Sequence, residues 1–161
     1  MIKGPGFQVG ADAPAYYRRT VELFMRPFAE ALVAATVEPG HAVLDVACGT
    51  GLATRIAAEA TGFEGRVVGA DLNAGMLAAA RDVPFEAPCP IEWHEASALE
   101  LPFNTDEFDA ITCQQGLQFF RDQVAGLAEM ARRGRARGSA RRSGRAAASR
   151  GHPTSVSRRR C

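Results

Sequence analysis

The sequence predicts an α/β domain built around a parallel sheet, and two observations predict it. Between about residue 41 and residue 131, short apolar runs typical of buried strands alternate with helical patterns, which is the arrangement of βαβ units. A turn bracketed by Gly49 and Gly51 follows directly on the first apolar run. Because the carboxyl ends of parallel strands meet at one edge of a sheet, where ligands bind, this turn is the first candidate for a functional site.

The N-terminal region is expected to be a lead-in followed by helix. Residues 1–14 are rich in Gly and Pro and predict a flexible N-terminus. Between residues 15 and 35, apolar residues recur every three or four positions, which is typical of one helix face: Tyr17, Val21, Phe24, Phe28 and Leu32. Because proline disrupts a helix interior, we expect two shorter helices, with Pro27 near the start of the second.

Four strands and three further helices are predicted after this region. The strands are HAVLDVA, GRVVGADL, IEWHEA and FDAITCQQ, and the helices are GLATRIAAEA, NAGMLAAAR and DQVAGLAEMAR. Asn73 is placed to cap the second of these helices. In the last helix, Val124, Leu127 and Met130 or Ala131 are expected to face the core.

Length and composition are those of one domain. The 161 residues are 47% apolar, which is enough for a core. No run of 18 apolar residues is present, so we expect no membrane span, and the N-terminus lacks the apolar stretch of a secretion signal. The four cysteines have neither disulfide-framework nor metal-site spacing, which predicts no metal and a reducing, cytoplasmic location.

Charge divides the chain into two parts. Residues 1–131 hold all 18 acidic and 8 basic side chains, a net charge of −10, whereas residues 132–161 hold 11 Arg and no acid. The C-terminal part has Val156 as its one large aliphatic residue. Since it has no apolar face to bury, the sequence predicts a domain at residues 15–131 and a disordered, low-complexity, Arg-rich tail at 132–161.

The turn after the first strand has the chemistry of a ligand site. Gly49 and Gly51 let the backbone turn tightly beside a ligand, and Asp45 lies where a cationic group could be met. A dinucleotide site would have a third glycine at the position of Thr54, and its pyrophosphate would be repelled by Asp45. An NAD-dependent oxidoreductase is therefore disfavoured, and a ligand that is part nucleoside and part amino acid is favoured.

A second acid marks the end of the second strand. Asp71 lies 20 positions after Gly51, the distance at which an acid binds the ribose hydroxyls in such folds. Leu72 could cover one face of an adenine, and Met76 could add apolar contact. The joint spacing of the two acids favours a functional role over the alternatives, in which Asp45 is a helix cap and Asp71 a turn residue.

Four stretches in order resemble the class I S-adenosylmethionine-dependent methyltransferases. They are VLDVACGTG, VVGADLNAGMLAAAR, IEWHEASALELPF and FDAITCQQGLQFF, and the resemblance covers roughly residues 15–131. The nearest group is the small-molecule methyltransferases related to ubiquinone and menaquinone C-methylation enzymes. The resemblance implies a Rossmann-like three-layer sandwich with a parallel sheet, incomplete here because about four of the family's seven strands are present.

The resemblance also implies S-adenosylmethionine as the cofactor and assigns residues to it. Asp45 corresponds to the acid near the methionine amino group, and Asp71 to the acid on the ribose hydroxyls. Ser97 stands where the family often has Asp, so a hydrogen bond is kept and a charge is lost, and Gln114 would line the mouth of the acceptor pocket. The expected cofactor-binding residues are Tyr17, Asp45, Ala47, Cys48, Gly49, Gly51, Asp71, Leu72, Met76, Ser97, Ala98 and Gln114.

The sequence assigns no catalytic residue. Methyl transfer from a sulfonium is an in-line displacement for which the protein supplies alignment and desolvation. A structural role is favoured for His94, and Cys48 and Cys113 are expected to be small buried fillers. The acceptor is expected to be a small molecule or a quinone-like lipid, and no oligomeric state is indicated.

Three explanations of the tail stay open, since the family normally continues with a Pro-Gly-Gly turn and further strands. The tail is a nucleic-acid-binding arm, because Arg clusters neutralise phosphates, or an inert solvated tail, or GC-rich coding DNA translated in a shifted frame. We favour the frameshift, because the break falls inside a helix. The first explanation gives the alternative function, an Arg-rich nucleic-acid-binding protein on an α/β scaffold, with no nucleic-acid binding outside the tail.

The missing strands have a physical consequence under each explanation. A sheet that ends at the fourth strand leaves backbone groups unpaired and apolar surface uncovered. We therefore expect weak stability, aggregation and impaired methyl transfer.

Overall fold

A computed structural model describes residues 20–136, and a four-stranded parallel sheet lies at their centre. The strands are β1 (Ala42–Val46), β2 (Arg66–Asp71), β3 (Ile91–Glu95) and β4 (Ala110–Thr112). They lie in the order β3-β2-β1-β4, and every neighbouring pair is parallel. The predicted fold class and the four predicted strands are confirmed.

Four α-helices connect and cover these strands within the described residues. They are α1 (Glu22–Thr36), α2 (Leu52–Thr61), α3 (Ala74–Arg81) and α4 (Gln123–Arg133), with a short 3-10 helix at Leu117–Phe119 before α4. The chain moves outward from β1 through β2 to β3 and then returns to the other side of β1 as β4. Strand order therefore reverses between β1 and β4, which is where open α/β sheets bind ligands.

The two faces of the sheet bury separate apolar clusters. Because successive strand residues point to opposite faces, Val43 packs with α1 and α2, whereas Leu44 packs on the other side. The first cluster contains Val33, Val37, Val43, Ala57, Ala58 and Val67. The second contains Leu44, Val46, Val68, Leu101, Phe103 and Phe108, with Met130 of α4 packed against it.

The prediction that Pro27 divides the first helix is wrong. α1 runs unbroken from Glu22 to Thr36 with Pro27 in its second turn. Proline at this position cannot donate the helical hydrogen bond to the carbonyl of Leu23, four residues earlier. The side chain of Leu23 is largely exposed. Packing of Ala29 and Val33 against α2 keeps the helix continuous, since tertiary contacts supply most helical stability.

α4 turns a different face to the core from the one predicted. Val124 is 77% exposed and Leu127 is 49% exposed, so the prediction that they face inward is wrong. Met130 packs against the core as expected, and Gly126 and Arg133 are buried beside it.

A buried ion pair explains this orientation of α4. Arg133 Nη2 lies 2.6 Å from Glu129 Oε1, and the same guanidinium donates to the carbonyl of Leu101. The backbone N–H of Leu101 in turn donates to Glu129 Oε1 at 2.9 Å. These bonds hold the Glu129 and Arg133 side of the helix on the sheet and leave Val124 and Leu127 outside.

A further strand pairing begins directly after α4. Gly134 bridges Phe108 in parallel: the N–H of Phe108 donates to the carbonyl of Arg133 at 3.0 Å, and the N–H of Arg135 donates to the carbonyl of Phe108 at 2.8 Å. Arg135 also pairs with Asp109. Ordered contacts thus extend to Arg135, within the segment assigned to the tail from sequence.

The predicted N-terminal lead-in and most of the predicted tail lie outside the described residues. Within residues 20–136, no helix is long and apolar enough to cross a membrane.

Candidate functional site

The loop from β1 to α2 makes a tight turn at the carboxyl edge of the sheet. Ala47, Gly49 and Gly51 all have positive φ, at 55°, 57° and 81°. The N–H of Cys48 donates to the carbonyl of Ala70 at 3.1 Å, and the N–H of Gly51 donates to the carbonyl of Cys48 at 2.9 Å. The loop is therefore fixed to the end of β2 and then enters α2 at once.

The two glycines of the motif border different surroundings. A Cβ atom at Gly49 would have no atom within 4 Å, so Gly49 faces open space. A Cβ atom at Gly51 would lie 2.3 Å from Cη2 of Trp93, and one at Gly69 in β2 would lie 2.7 Å from Cε3 of the same indole. Gly49 thus borders open space, whereas Gly51 and Gly69 leave room for Trp93.

Asp71 lies at the end of β2 with its carboxylate held by backbone. Its Oδ2 accepts from the N–H of Gly49 at 2.8 Å, and its Oδ1 accepts from the N–H of Asn73 at 2.8 Å. Burial raises the pKa of Asp71 above its ordinary value, and N–H groups of Asn73, Gly49 and Leu72 act in the opposite direction. Each carboxylate oxygen can accept one more hydrogen bond, and the residue is partly exposed.

Asp45 lies deeper, at the centre of the sheet. It is 1% exposed, and its oxygens accept from the hydroxyls of Thr54 at 2.6 Å and Thr112 at 2.9 Å. Burial raises its pKa to about 6, although these two hydrogen bonds lower it, and the charge of Asp71 raises it further. Thr54, which the sequence marks only as a missing third glycine, is therefore a partner of the motif acid.

A second group of polar residues joins α1 to the loop. Thr50 Oγ1 donates to Glu22 Oε1 at 2.5 Å, and Arg55 Nη2 lies 3.3 Å from the same oxygen. Arg55 Nη1 also donates to the carbonyl of Thr50 at 2.8 Å. Sequence reasoning missed all three residues; the signal that could have found Thr50 is its place between the two glycines.

The loops after β2 and β3 form the opposite side of the site. Leu72 is 50% exposed and Met76 is 9% exposed. The N–H of Ala96 donates to the carbonyl of Asp71 at 3.0 Å, which ties the loop that carries Ser97 and Ala98 to the end of β2.

Gln114 and Tyr17 are the two predicted cofactor-binding residues outside β1, β2, β3 and the loops that follow these strands. Gln114, after β4, donates through Nε2 to the carbonyl of Met25 in α1 at 3.0 Å. Tyr17 lies outside the described residues. The remaining predicted residues all lie on the carboxyl edge of β1, β2 and β3, and their roles toward a cofactor stay predictions.

The nucleophiles and bases near this edge have the contacts of structural residues. Burial raises the pKa of the Cys48 thiol well above its usual range and that of Cys113 to about 11, with the charge of Asp45 acting in the same direction. His94 packs edge-on against Phe103, with ring centres 5.2 Å apart, and lies 3.6 Å from Glu92.

Comparison with known proteins places this geometry in a family. A family model described as "Methyltransferase domain" matches residues 43–138, more than half of the chain. The chain is 41% identical over 100 residues to a ubiquinone/menaquinone biosynthesis C-methyltransferase of Stenotrophomonas maltophilia, a match that covers 61% of this chain and 40% of that protein. It is 43% identical over 93 residues to a 2-phytyl-1,4-naphtoquinone methyltransferase of Thermosynechococcus vestitus, with coverages of 58% and 41%.

Solved structures share the fold. An S-adenosylmethionine-dependent methyltransferase from Aquifex aeolicus superposes with a TM-score of 0.64 at 18% identity, covering 80% of this chain and 69% of that one. The chain spans about 40% of the length of the curated relatives it matches. The resemblance seen in the motifs, the Rossmann-like fold and the cofactor they imply are confirmed: the chain belongs to the class I S-adenosylmethionine-dependent methyltransferases.

Proposed function

We propose that this chain binds S-adenosylmethionine at the carboxyl ends of β1 and β2 and serves methyl transfer to a small-molecule acceptor of the quinone type. The names of two relatives, which concern ubiquinone/menaquinone and 2-phytyl-1,4-naphtoquinone, support the acceptor class. The position of Asp71 supports the cofactor site.

Asp71 is the observation that carries the proposal. Its two oxygens each accept one backbone N–H and each keep an acceptor position, so the carboxylate can take both hydroxyls of a ribose. Gly49, which donates one of these N–H bonds, borders open space. This combination fits a ribose, whereas a 2′-phosphate would be repelled.

The other residues fit the remaining parts of the cofactor. The exposed side chain of Leu72 is available to one adenine face, and Ser97 can hydrogen-bond from the next loop. S-Adenosylmethionine carries a cationic sulfonium, whose methyl group is the one transferred, and an ammonium group. The negative charges of Asp45 and Asp71 complement these cations, and Asp45 would act through a water molecule because it is only 1% exposed and lies below the loop.

The acceptor side of the proposal rests on α1 and Gln114. Gln114 donates a hydrogen bond to the α1 backbone, so α1 is tied to the edge of the sheet next to β4. No residue is assigned as a base, so the chain's contribution is alignment and exclusion of water. The proposal includes impaired turnover, because β4 is an edge strand among the described residues and the one further bridge, from Phe108 to Gly134, lies just before it.

Binding of S-adenosylhomocysteine tests the proposal. Titration calorimetry on the 161-residue chain should show saturable binding, and Asp71→Asn should weaken it about 10- to 100-fold, since hydrogen bonds to a charged group are worth about 1.5–3 kcal/mol. Glu95→Gln is the matched control, because Glu95 is the exposed register neighbour of Asp71 on β3, and it should bind as the wild type does. Absence of binding by the wild-type chain, or equal binding by Asp71→Asn, would contradict the proposal.

The alternative, nucleic-acid binding, rests on the Arg-rich segment. Salt-dependent RNA binding that disappears on deletion of residues 137–161 would favour it. The deletion starts at 137 because Arg133 and Arg135 make contacts within the folded domain.

A further inference from the structure

A buried brace connects α1 to the loop between the two motif glycines. It consists of Glu22, Thr50 and Arg55. Thr50 is 1% exposed and Arg55 is 8% exposed, and the Glu22 side chain is 14% exposed. An enclosed carboxylate, hydroxyl and guanidinium restrain one another's geometry, because hydrogen bonds formed away from water are costly to break.

The brace holds Thr50 at two points. Glu22 accepts from its hydroxyl at 2.5 Å, and Arg55 donates to its carbonyl at 2.8 Å. Thr50 lies between two glycines of positive φ, and glycine gives the backbone the most freedom of any residue. Thr50 therefore offers the one side chain in the Gly49–Gly51 segment through which the rest of the protein can fix the loop.

The loop passes this restraint to Asp71. The N–H of Gly49, the residue directly before Thr50, lies in the peptide group that joins Cys48 to Gly49 and donates to Asp71 Oδ2 at 2.8 Å. A shift of Thr50 would move this N–H and release one of the two bonds that orient the carboxylate.

We propose that Glu22 and Thr50 are positioning residues for the cofactor site: through Thr50, the brace holds the Gly49 N–H on Asp71 and so presets the carboxylate for the ribose hydroxyls. The ribose part of this inference rests on the proposed function. Since Glu22 belongs to α1, docking of α1 and binding of the cofactor are coupled. The bond from Gln114 to the carbonyl of Met25 is a second tie between α1 and the same edge.

Variants at Thr50 give the cleanest test, because removal of Glu22 would take away the buried acid that faces the Arg55 guanidinium and endanger folding. Thr50→Val keeps the branched shape and removes the hydroxyl, whereas Thr50→Ser keeps the hydroxyl. Glu30→Gln is the matched control on α1, since Glu30 makes only an exposed pair with Arg26 in the described contacts. Thermal unfolding of each full-length variant first establishes that it folds.

The first readout needs no ligand. Amide hydrogen exchange at Gly49, followed by NMR, should be faster in Thr50→Val by about tenfold or more, which corresponds to about 1.4 kcal/mol, and unchanged in Thr50→Ser and Glu30→Gln. If the Gly49 amide exchanged equally fast in Thr50→Val and in the wild type, the proposed role of the brace would be overturned, whichever ligand the chain binds.

The second readout is affinity for S-adenosylhomocysteine. Thr50→Val should weaken binding about tenfold, and Thr50→Ser should restore it. In the double variant with Asp71→Asn, the penalty of Thr50→Val should disappear, because a residue that acts through Asp71 has no effect once the carboxylate is gone. Additive penalties would overturn the inference and leave the proposed function intact, whereas a wild-type chain that does not bind overturns the proposed function.

Discussion

Asp45 is an acid that the fold encloses in the middle of a sheet. Burial raises its pKa from 3.8 to about 6, against the lowering effect of hydrogen bonds from Thr54 and Thr112. Relative to the unfolded chain, the folded, ligand-free chain therefore shifts Asp45 toward the neutral carboxyl, although the group is still mainly ionised at pH 7. Complete ionisation costs folding free energy, on the order of 3 kcal/mol. A cationic ligand at the neighbouring loop would offset part of this cost.

We expect Asp45→Asn to stabilise the ligand-free protein at neutral pH. A raised folded-state pKa means that the wild type loses stability as pH rises from about 3.8 through about 6, and asparagine has no charge to desolvate. Urea unfolding should show a gain of about 1–3 kcal/mol at pH 7.5 that shrinks toward zero near pH 4. A loss of stability at pH 7.5 that persists at pH 4 would contradict this.

Single residues were predictable where the signal is local. Asp45 and Asp71 lie at the ends of two consecutive predicted strands and Gly49 directly follows the first, and the ends of successive parallel strands meet at one edge. Thr112, the second partner of Asp45, lies 67 residues away, and only the pairing of β1 with β4 brings the two together. Glu22 was missed for the same reason, since its partner Thr50 is 28 residues distant.

Helices and strands are predictable from the spacing of apolar residues. That spacing predicts the wrong inward face for α4, where polar side chains are buried. The inward stripe of α4 includes Gly126, Glu129 and Arg133 instead of Val124 and Leu127. A Cβ atom at Gly126 would lie 2.5 Å from a ring carbon of Phe120, so the glycine itself marks close packing. A pattern that counts only apolar side chains cannot register such a stripe.

Glu129 fixes the orientation of α4, and its removal should therefore be costly. Burial acts to raise the pKa of Glu129. Hydrogen bonds from Arg132, Arg133 and the Leu101 backbone outweigh this effect and hold the pKa at about 2, below its ordinary 4.5. A lowered folded-state pKa contributes stability that is present above about pH 4.5 and lost as pH falls toward 2.

Glu129→Gln should accordingly lower the free energy of unfolding by about 1–2 kcal/mol at pH 7, and by progressively less below pH 4.5. Glu100→Gln, on the exposed loop before Leu101, serves as the control and should have no effect beyond about 0.5 kcal/mol. Chemical denaturation of both variants across pH 2.5–7 measures the difference. An equal loss for Glu129→Gln at all pH values would refute the electrostatic account.

At the scale of the whole molecule, the alternation of strands and helices predicts the sheet because each crossover is local and has one hand. The pairing of Phe108 with Gly134 was not predictable, because the sequence after Met130 carries no strand pattern. It shows the backbone turning alongside β4, where a further parallel strand would lie.

The 161-residue chain is expected to self-associate and to transfer methyl groups slowly or not at all. β4 pairs along its length with β1 alone among the described residues, and the exposed Val124 and Leu127 lie on the helix that follows it; unpaired strand edges and exposed apolar groups both promote association. Sedimentation velocity at several concentrations, with a radiolabelled methyl-transfer assay on a quinol acceptor, measures both. A monomer with steady turnover would contradict the expectation.

The packing of the Trp93 indole against Gly69 restricts which side chains these two positions can hold together. The indole occupies the volume that any side chain at position 69 would need, and glycine is a poor strand residue that β2 would otherwise replace with a better one. A larger residue at 69 therefore requires the indole at 93 to move or to be replaced by a smaller side chain, because otherwise two groups would share one volume. Replacement at position 93 should accordingly make substitution at position 69 easier to tolerate.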